Sequence, residues 1–173
     1  MKVELVRAHE ADEPILTNLL QLYLHDLSEF DSTEISDEGQ FSYPYLSHYW
    51  AEPGRYSFFL MVDGALAGFA FVRSGSELVA DDWAMELAEF FVLRKYRRKG
   101  VGRTAAVELF RMFPGPWVVG VIEENNGGVN FWDHVIPRFT DVAFQRDAVN
   151  DGQRDWVVFQ FAAPGSIEDR TSG

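Results

Sequence analysis

The sequence contains no cysteine, which excludes a disulfide framework, a thiolate metal site and a cysteine nucleophile together, and suits a reducing cytoplasm. Basic residues are scarce. Fifteen Lys and Arg stand against 27 Asp and Glu, and the formal charge of −12 argues against general nucleic-acid binding. No run approaches the ~18 uninterrupted apolar residues of a membrane span, and Met1-Lys2-Val3-Glu4-Leu5 lacks the apolar core of a signal peptide. The chain also lacks internal repeats and linker-like stretches. Its four histidines (His9, His25, His48 and His134) show no metal-ligand spacing, so no metal is expected. These absences predict a cytoplasmic protein with no membrane partner, acting as monomer or homodimer. They also predict a single domain over 1–163 and a loose polar tail over 164–173.

What is present is a globular composition, 47% hydrophobic and 24% charged, in 173 residues, enough for one substantial core. Val3 to Arg7 alternates as a short strand. Asp12 and Pro14 open a helical pattern through Leu16, Leu19, Leu20, Tyr23 and Leu27, with Asp12 expected as its N-cap. Tyr43 to Trp50 predicts a second short helix. Tyr56–Val62 and Leu66–Val72 flank Asp63-Gly64 as a hairpin, and Ser74–Asp82 reads as a connecting loop. Met85–Leu93 predicts a central strand buried on both faces. A helix over Gly102–Met112 and a strand over Trp117–Ile122 follow. A short helix over Val129–Ile136 is expected to stop at Pro137. A strand pair, Phe139–Arg146 and Trp156–Phe161, closes the chain. The order predicts an α/β (mixed α+β) domain.

Charge is distributed unevenly. Arg94, Lys95, Arg97, Arg98, Lys99 and Arg103 fall within ten residues without an acid, and removing these six cations leaves −18 for the rest. A basic patch on so acidic a chain suggests a polyanion bound at one spot, or a solvated charge run opening a helix. Between a strand and a helix, Arg97-Arg98-Lys99-Gly100-Val101-Gly102 puts unpaired backbone N–H groups and the positive end of a helix dipole at one point. Gly100 and Gly102 permit a tight turn and close approach of phosphate oxygens, and Arg103 adds charge. The spacing fits neither a P-loop nor a dinucleotide fingerprint.

Arg97-x-x-Gly100-x-Gly102 instead resembles the acetyl-CoA signature of the GNAT superfamily of N-acetyltransferases. The likeness extends to Val92 at the end of the preceding strand and to Trp117–Ile122. It continues through Asn125-x-x-Gly128-x-x-Phe131-Trp132, where the family has Asn-x-x-Ala-x-x-Phe-Tyr. It implies a mixed twisted sheet of about seven strands and about four helices, with the fourth and fifth strands splayed. It further implies acetyl-CoA as cosubstrate in the splay. The pantetheine would lie along the backbone of Phe91, Val92 and Leu93, the pyrophosphate on Arg97, Arg98, Lys99, Gly100, Val101, Gly102 and Arg103, with Asn125 and Trp132 at the cofactor.

The implied reaction is acetyl transfer to a primary amine of a small molecule or peptide by direct attack. An alkylamine of pKa ~10.4 is neutral about once in 2,500 molecules at pH 7, a penalty of roughly 4.6 kcal/mol that a general base reduces. Two carboxylates on the candidate strand are base candidates. Glu86 matches the position of the base in the histone-acetylating branch of the family, and Glu89 lies inside an apolar run. Their odd separation puts them on opposite faces of a regular strand unless a bulge intervenes. Trp132 replaces the tyrosine that many relatives carry there, and indole cannot protonate a thiolate. A CoA-binding module without activity and a phosphate-binding protein unrelated to CoA are the alternatives. Nine acids between Glu10 and Glu38, with no Lys or Arg among them, suggest a cationic acceptor or a merely solvated face.

Overall fold

The computed structural model describes residues 1–165, so the tail expected over 164–173 lies, beyond Gly165, outside the described residues. Seven strands form one sheet in the order β1-β2-β3-β4-β5-β7-β6. They are β1 Val3–Arg7, β2 Arg55–Val62, β3 Ala65–Ser76, β4 Asp81–Val92, β5 Gly115–Ile122, β6 Phe144–Asn150 and β7 Asp155–Ala163. All neighbours are antiparallel except β4 and β5, which run parallel. Four helices cover the sheet: α1 Glu13–Leu27, α2 His48–Ala51, α3 Val101–Met112 and α4 Asn126–Thr140.

Period-two alternation sorts each strand between two cores. Phe59, Phe69, Phe71 and Phe91 pack under Leu16, Leu19 and Leu20 of α1 and Tyr49 of α2. Phe58, Leu60, Ala70, Val72, Val119 and Phe159 meet α3 and α4 through Ala105, Leu109, Phe110, Trp132 and Ile136 on the other face. β3 is buried on both faces, with Phe69 to Val72 fully covered. β4, expected in that role, is only partly buried from Ala88 to Phe90 and at Val92. It pairs with β5 at just two positions, Met85↔Trp117 and Glu86↔Val118, and beyond them the strands part, as the resemblance implies.

Several boundaries differ from expectation for identifiable reasons. Asp12 does not cap α1 with its side chain; its carboxylate accepts from the His9 N–H at 3.0 Å and closes a one-turn segment, Glu10–Asp12, ahead of the helix. The helix expected over Tyr43–Trp50 is confined to α2. The expected loop 74–82 shrinks to 77–80, because Arg73↔Glu86 and Ser74↔Met85 continue the ladder with a polar pair. Pro137 does not stop α4. The helix carries on to place Phe139 against Phe110 at 5.3 Å and Phe161 at 6.1 Å, then ends where the N–H groups of Asp141 and Val142, both at positive φ, return to the Pro137 carbonyl. Consequently β6 starts at Phe144 rather than Phe139.

Candidate active site

The parting of β4 and β5 opens a cleft of about 820 Å³, within the size range of small-molecule sites. One end is the turn into α3. A 3-10 turn, Arg94–Tyr96, follows β4. Arg98 and Gly100 then take left-handed conformations (φ 58° and 82°), and Gly100 becomes the N-cap of α3. A Cβ on Gly100 would meet nothing, so glycine is needed there for conformation. At Gly102 the need is packing, since a Cβ would lie 3.2 Å from the Phe131 ring. The Thr104 N–H bonds to the Gly100 carbonyl at 3.0 Å, and the N–H groups of Val101, Gly102 and Arg103 precede the first intrahelical bond.

The cationic run divides by role. Arg98 lines the cleft, whereas Lys99 and Arg103 are exposed and outside its lining. Arg97 braces the turn. Its Nε donates to the Val92 carbonyl at 2.7 Å and its Nη2 to Asp26 Oδ2 at 2.5 Å, while Arg94 donates to Asp26 Oδ1 at 2.6 Å. Burial resists ionisation of Asp26, but its two arginine hydrogen bonds prevail and hold its carboxyl below the ordinary range. Val101 is fully buried against Val62 and Ala67, backbone included.

Along β4, the Leu93 N–H bonds to the Ala67 carbonyl at 2.8 Å, which makes 67/93 and 69/91 hydrogen-bonded pairs with β3. The polar groups of Phe90 and Val92 therefore face the gap, and those of Phe91 and Leu93 do not. This shifts the expected ligand-facing backbone by one residue. Across the gap, Asn125 caps α4, its Oδ1 accepting from the Gly128 N–H at 2.9 Å. A Cβ on Gly128 would lie 2.8 Å from the Asn125 amide nitrogen, so a larger residue there would require the Asn125 side chain to shift. Trp132 is a core residue, buried against Phe90, Phe110 and Phe131, with an edge on the cleft.

The two carboxylates share a face. In the β3–β4 register Phe71 faces Glu89 and Val72 faces Leu87, so Ala88 is the extra residue of a β-bulge. The bulge cancels the odd separation: Glu86 stands opposite Arg73 and Glu89 opposite Phe71, two residues apart on β3. Glu86 is buried. Its Oε1 accepts from Arg73 Nε at 3.1 Å and Nη2 at 2.9 Å, and its Oε2 is buried without a partner.

Glu89 is part-buried and lines the cleft. Tyr23 of α1 donates to its Oε2 at 2.6 Å and Tyr43 to its Oε1 at 3.0 Å. Burial raises its pKa, the two phenols and Arg73 oppose that, Glu86 adds to it, and the result is pushed up to about 7. Burial and the adjacent carboxylate push both phenols up, so they remain donors at neutral pH. A carboxylate poised near 7 is suited to general-base work. Sequence reading missed both tyrosines as partners of Glu89: Tyr23 blends into the apolar face of α1, and Tyr43 into the stretch expected as a second short helix. Of the nine acids between Glu10 and Glu38, Asp26, Glu29 and Asp31 reach the cleft, and Asp31 faces Arg154 at 3.5 Å. Among the described residues no helix is long and apolar enough to cross a membrane.

The sequence model of the acetyltransferase (GNAT) family matches residues 17–134, about two thirds of the chain and all of the splayed unit. The chain belongs to the GNAT acetyltransferase family. No curated protein sequence matches at a significant level. Solved structures share the GNAT fold over nearly the whole chain. An acetyltransferase from Thermus thermophilus is 15% identical with a TM-score of 0.66, covering 94% of this chain and 97% of its own. Spermidine N-acetyltransferase from Vibrio cholerae, in complex with CoA and spermine, is 14% identical with a TM-score of 0.62, covering 93% and 95%. Ribosomal-protein-S18-alanine N-acetyltransferase from Escherichia coli is 15% identical with a TM-score of 0.59, covering 97% and 98%. At these identities the likeness is one of fold.

Proposed function

We propose that this GNAT protein transfers an acetyl group from acetyl-CoA to a primary amine, with Glu89 as general base. The observation that carries the reading is the Glu89 carboxylate, held by two phenols, in the same cleft as the glycine turn at the head of α3.

The donor set fits the cosubstrate. The N–H groups of Gly102 and Arg103, the helix dipole and the Arg98 guanidinium suit a pyrophosphate. The gap-facing polar groups of Phe90 and Val92 suit the amides of a pantetheine arm, and Asn125 stands across from them. When bound, acetyl-CoA supplies an activated thioester carbonyl at the gap. Glu89 accepts a proton from the acceptor ammonium, directly or through water, and so lowers the cost of presenting a neutral amine. Tyr23 and Tyr43 hold that carboxylate in place and remain protonated. The Phe90 N–H, facing the gap beside Glu89, is the donor for negative charge developing on the carbonyl oxygen. Indole at Trp132 cannot protonate the departing sulfur, so CoA leaves as thiolate, which a thiol pKa near ~8.5 permits. Glu86, bound to Arg73, supports Glu89 electrostatically rather than acting as base.

Free-thiol release from acetyl-CoA with a panel of amines tests the reading. Amine-dependent release that falls ~100-fold in Glu89→Gln is expected. Tight CoA binding without release from any amine would point to a binding module.

A further inference from the structure

Beyond Glu89 the cleft is walled by elements that the cofactor end does not use. The segment after α1 contributes Phe30, Asp31 and Tyr45, the β6–β7 turn contributes Arg154, and β7 contributes Trp156. This end is aromatic, and its charge is close to balanced. Both oxygens of Asp26 are taken by Arg94 and Arg97, and Asp31 is matched by Arg154, which leaves Glu29 as the unmatched acid beside Glu89. A polycation would need a run of unmatched acids, and the pairing removes it.

Arg154 is the informative residue. Its guanidinium lies over the Trp156 ring, 5.7 Å from the centroid, so stacking holds it at the cleft edge. Its 3.5 Å approach to Asp31 is an ion pair too long for a good hydrogen bond, so its fork of N–H donors remains able to take a carboxylate side-on. Arg154 and Glu89 line the same cleft, together with Phe30, Tyr45 and Trp156.

We infer that the acceptor is an aromatic amino acid, its amine presented to Glu89, its ring among Phe30, Tyr45 and Trp156, and its carboxylate on Arg154. The inference rests on the acetyltransferase reading and specifies its substrate class. A carboxylate lost from the substrate leaves Arg154 with Asp31 alone, so the decarboxylated amine should be the poorer acceptor.

The test compares kcat/KM for L-phenylalanine and L-tryptophan with phenethylamine, tryptamine and spermidine, in the wild type and in Arg154→Met. The wild type should favour each amino acid over its decarboxylated amine by about tenfold or more, and Arg154→Met should cut that ratio by about tenfold, chiefly through the KM of the amino acid. Arg154 sits in an exposed turn, and an unchanged melting temperature and unchanged CoA-induced shift will show that the variant is folded. A ratio at or below one, a ratio indifferent to Arg154→Met, or a preference for spermidine overturns the inference while leaving the acetyltransferase reading in place. Absence of thiol release with every amine overturns both.

Discussion

Tyr23 and Glu89, 66 positions apart in sequence, meet in a 2.6 Å hydrogen bond that ties the first helix to the bulged strand β4. The bond stabilises the ionised carboxylate against the burial that otherwise keeps it protonated. Removing it should therefore move Glu89 further up. Hydrogen bonds to charged groups contribute about 1.5–3 kcal/mol, so Tyr23→Phe should shift the acidic limb of the kcat/KM profile upward by about one unit or more. Tyr43→Phe, which removes a longer 3.0 Å bond, should shift it in the same direction by less. A limb that stays in place in both variants would separate the phenols from the base.

Glu86 and Arg73 act on the same carboxylate with opposite signs. In Glu86→Gln the repulsion disappears and Arg73 loses the partner that neutralises it, so the limb should move to lower pH while turnover is largely retained. A collapse of activity matching that of Glu89→Gln would instead make Glu86 the base.

How much of this could be read in advance follows the physics of each feature. The glycine turn was legible, because backbone geometry there depends on local residue types such as Gly100, and the splay came with the resemblance to the family. The shared face of Glu86 and Glu89 was not: it depends on a bulge at Ala88, and alanine carries no local signal for one. The extension of α4 through Pro137 was hidden for a similar reason, since Phe139 packing on Phe110 and Phe161 outweighs the local preference for a stop. The clamp on Glu89 joins residues 23, 43 and 89, and long-range partners leave no periodic trace. The acidic segment 10–38 left a cationic acceptor and a solvated face both open, and its pairings with Arg94, Arg97 and Arg154, which take up Asp26 and Asp31 but not Glu29, join residues too far apart in sequence to be read from it.

The two glycines of the turn should fail differently. Gly100→Ala forces a Cβ into a left-handed position with open space around it, and should cost about 1 kcal/mol of stability. Gly102→Val drives a branched side chain into the Phe131 ring, and should cost more stability as well as most of the thermal shift produced by acetyl-CoA. Denaturant melts measure the stability costs, and thermal melts with and without acetyl-CoA measure the shift. An undiminished shift in a folded Gly102→Val protein would place the cofactor elsewhere.

Glu89 also leaves a mark on stability. Its native pKa of about 7 lies above the ordinary value of 4.5, so between these values the folded state binds more protons than the unfolded state. The favourable contribution is complete below pH 4.5 and is lost as pH rises through 7, on the order of 3 kcal/mol in all. Glu89→Gln cannot ionise and should gain on the wild type by that order between pH 4.5 and 8, as read from urea melts. A constant difference across the range would mean that the carboxyl titrates normally.

The most direct measurement of the central claim is the pH dependence of amine-dependent thiol release from acetyl-CoA, wild type against Glu89→Gln. The account predicts a wild-type acidic limb in kcat/KM near pH 7, where the clamped carboxylate loses its proton. In Glu89→Gln that limb should be absent and turnover should fall by about 100-fold. A Glu89→Gln enzyme with the wild-type rate and the wild-type limb would contradict the assignment of Glu89 as the base.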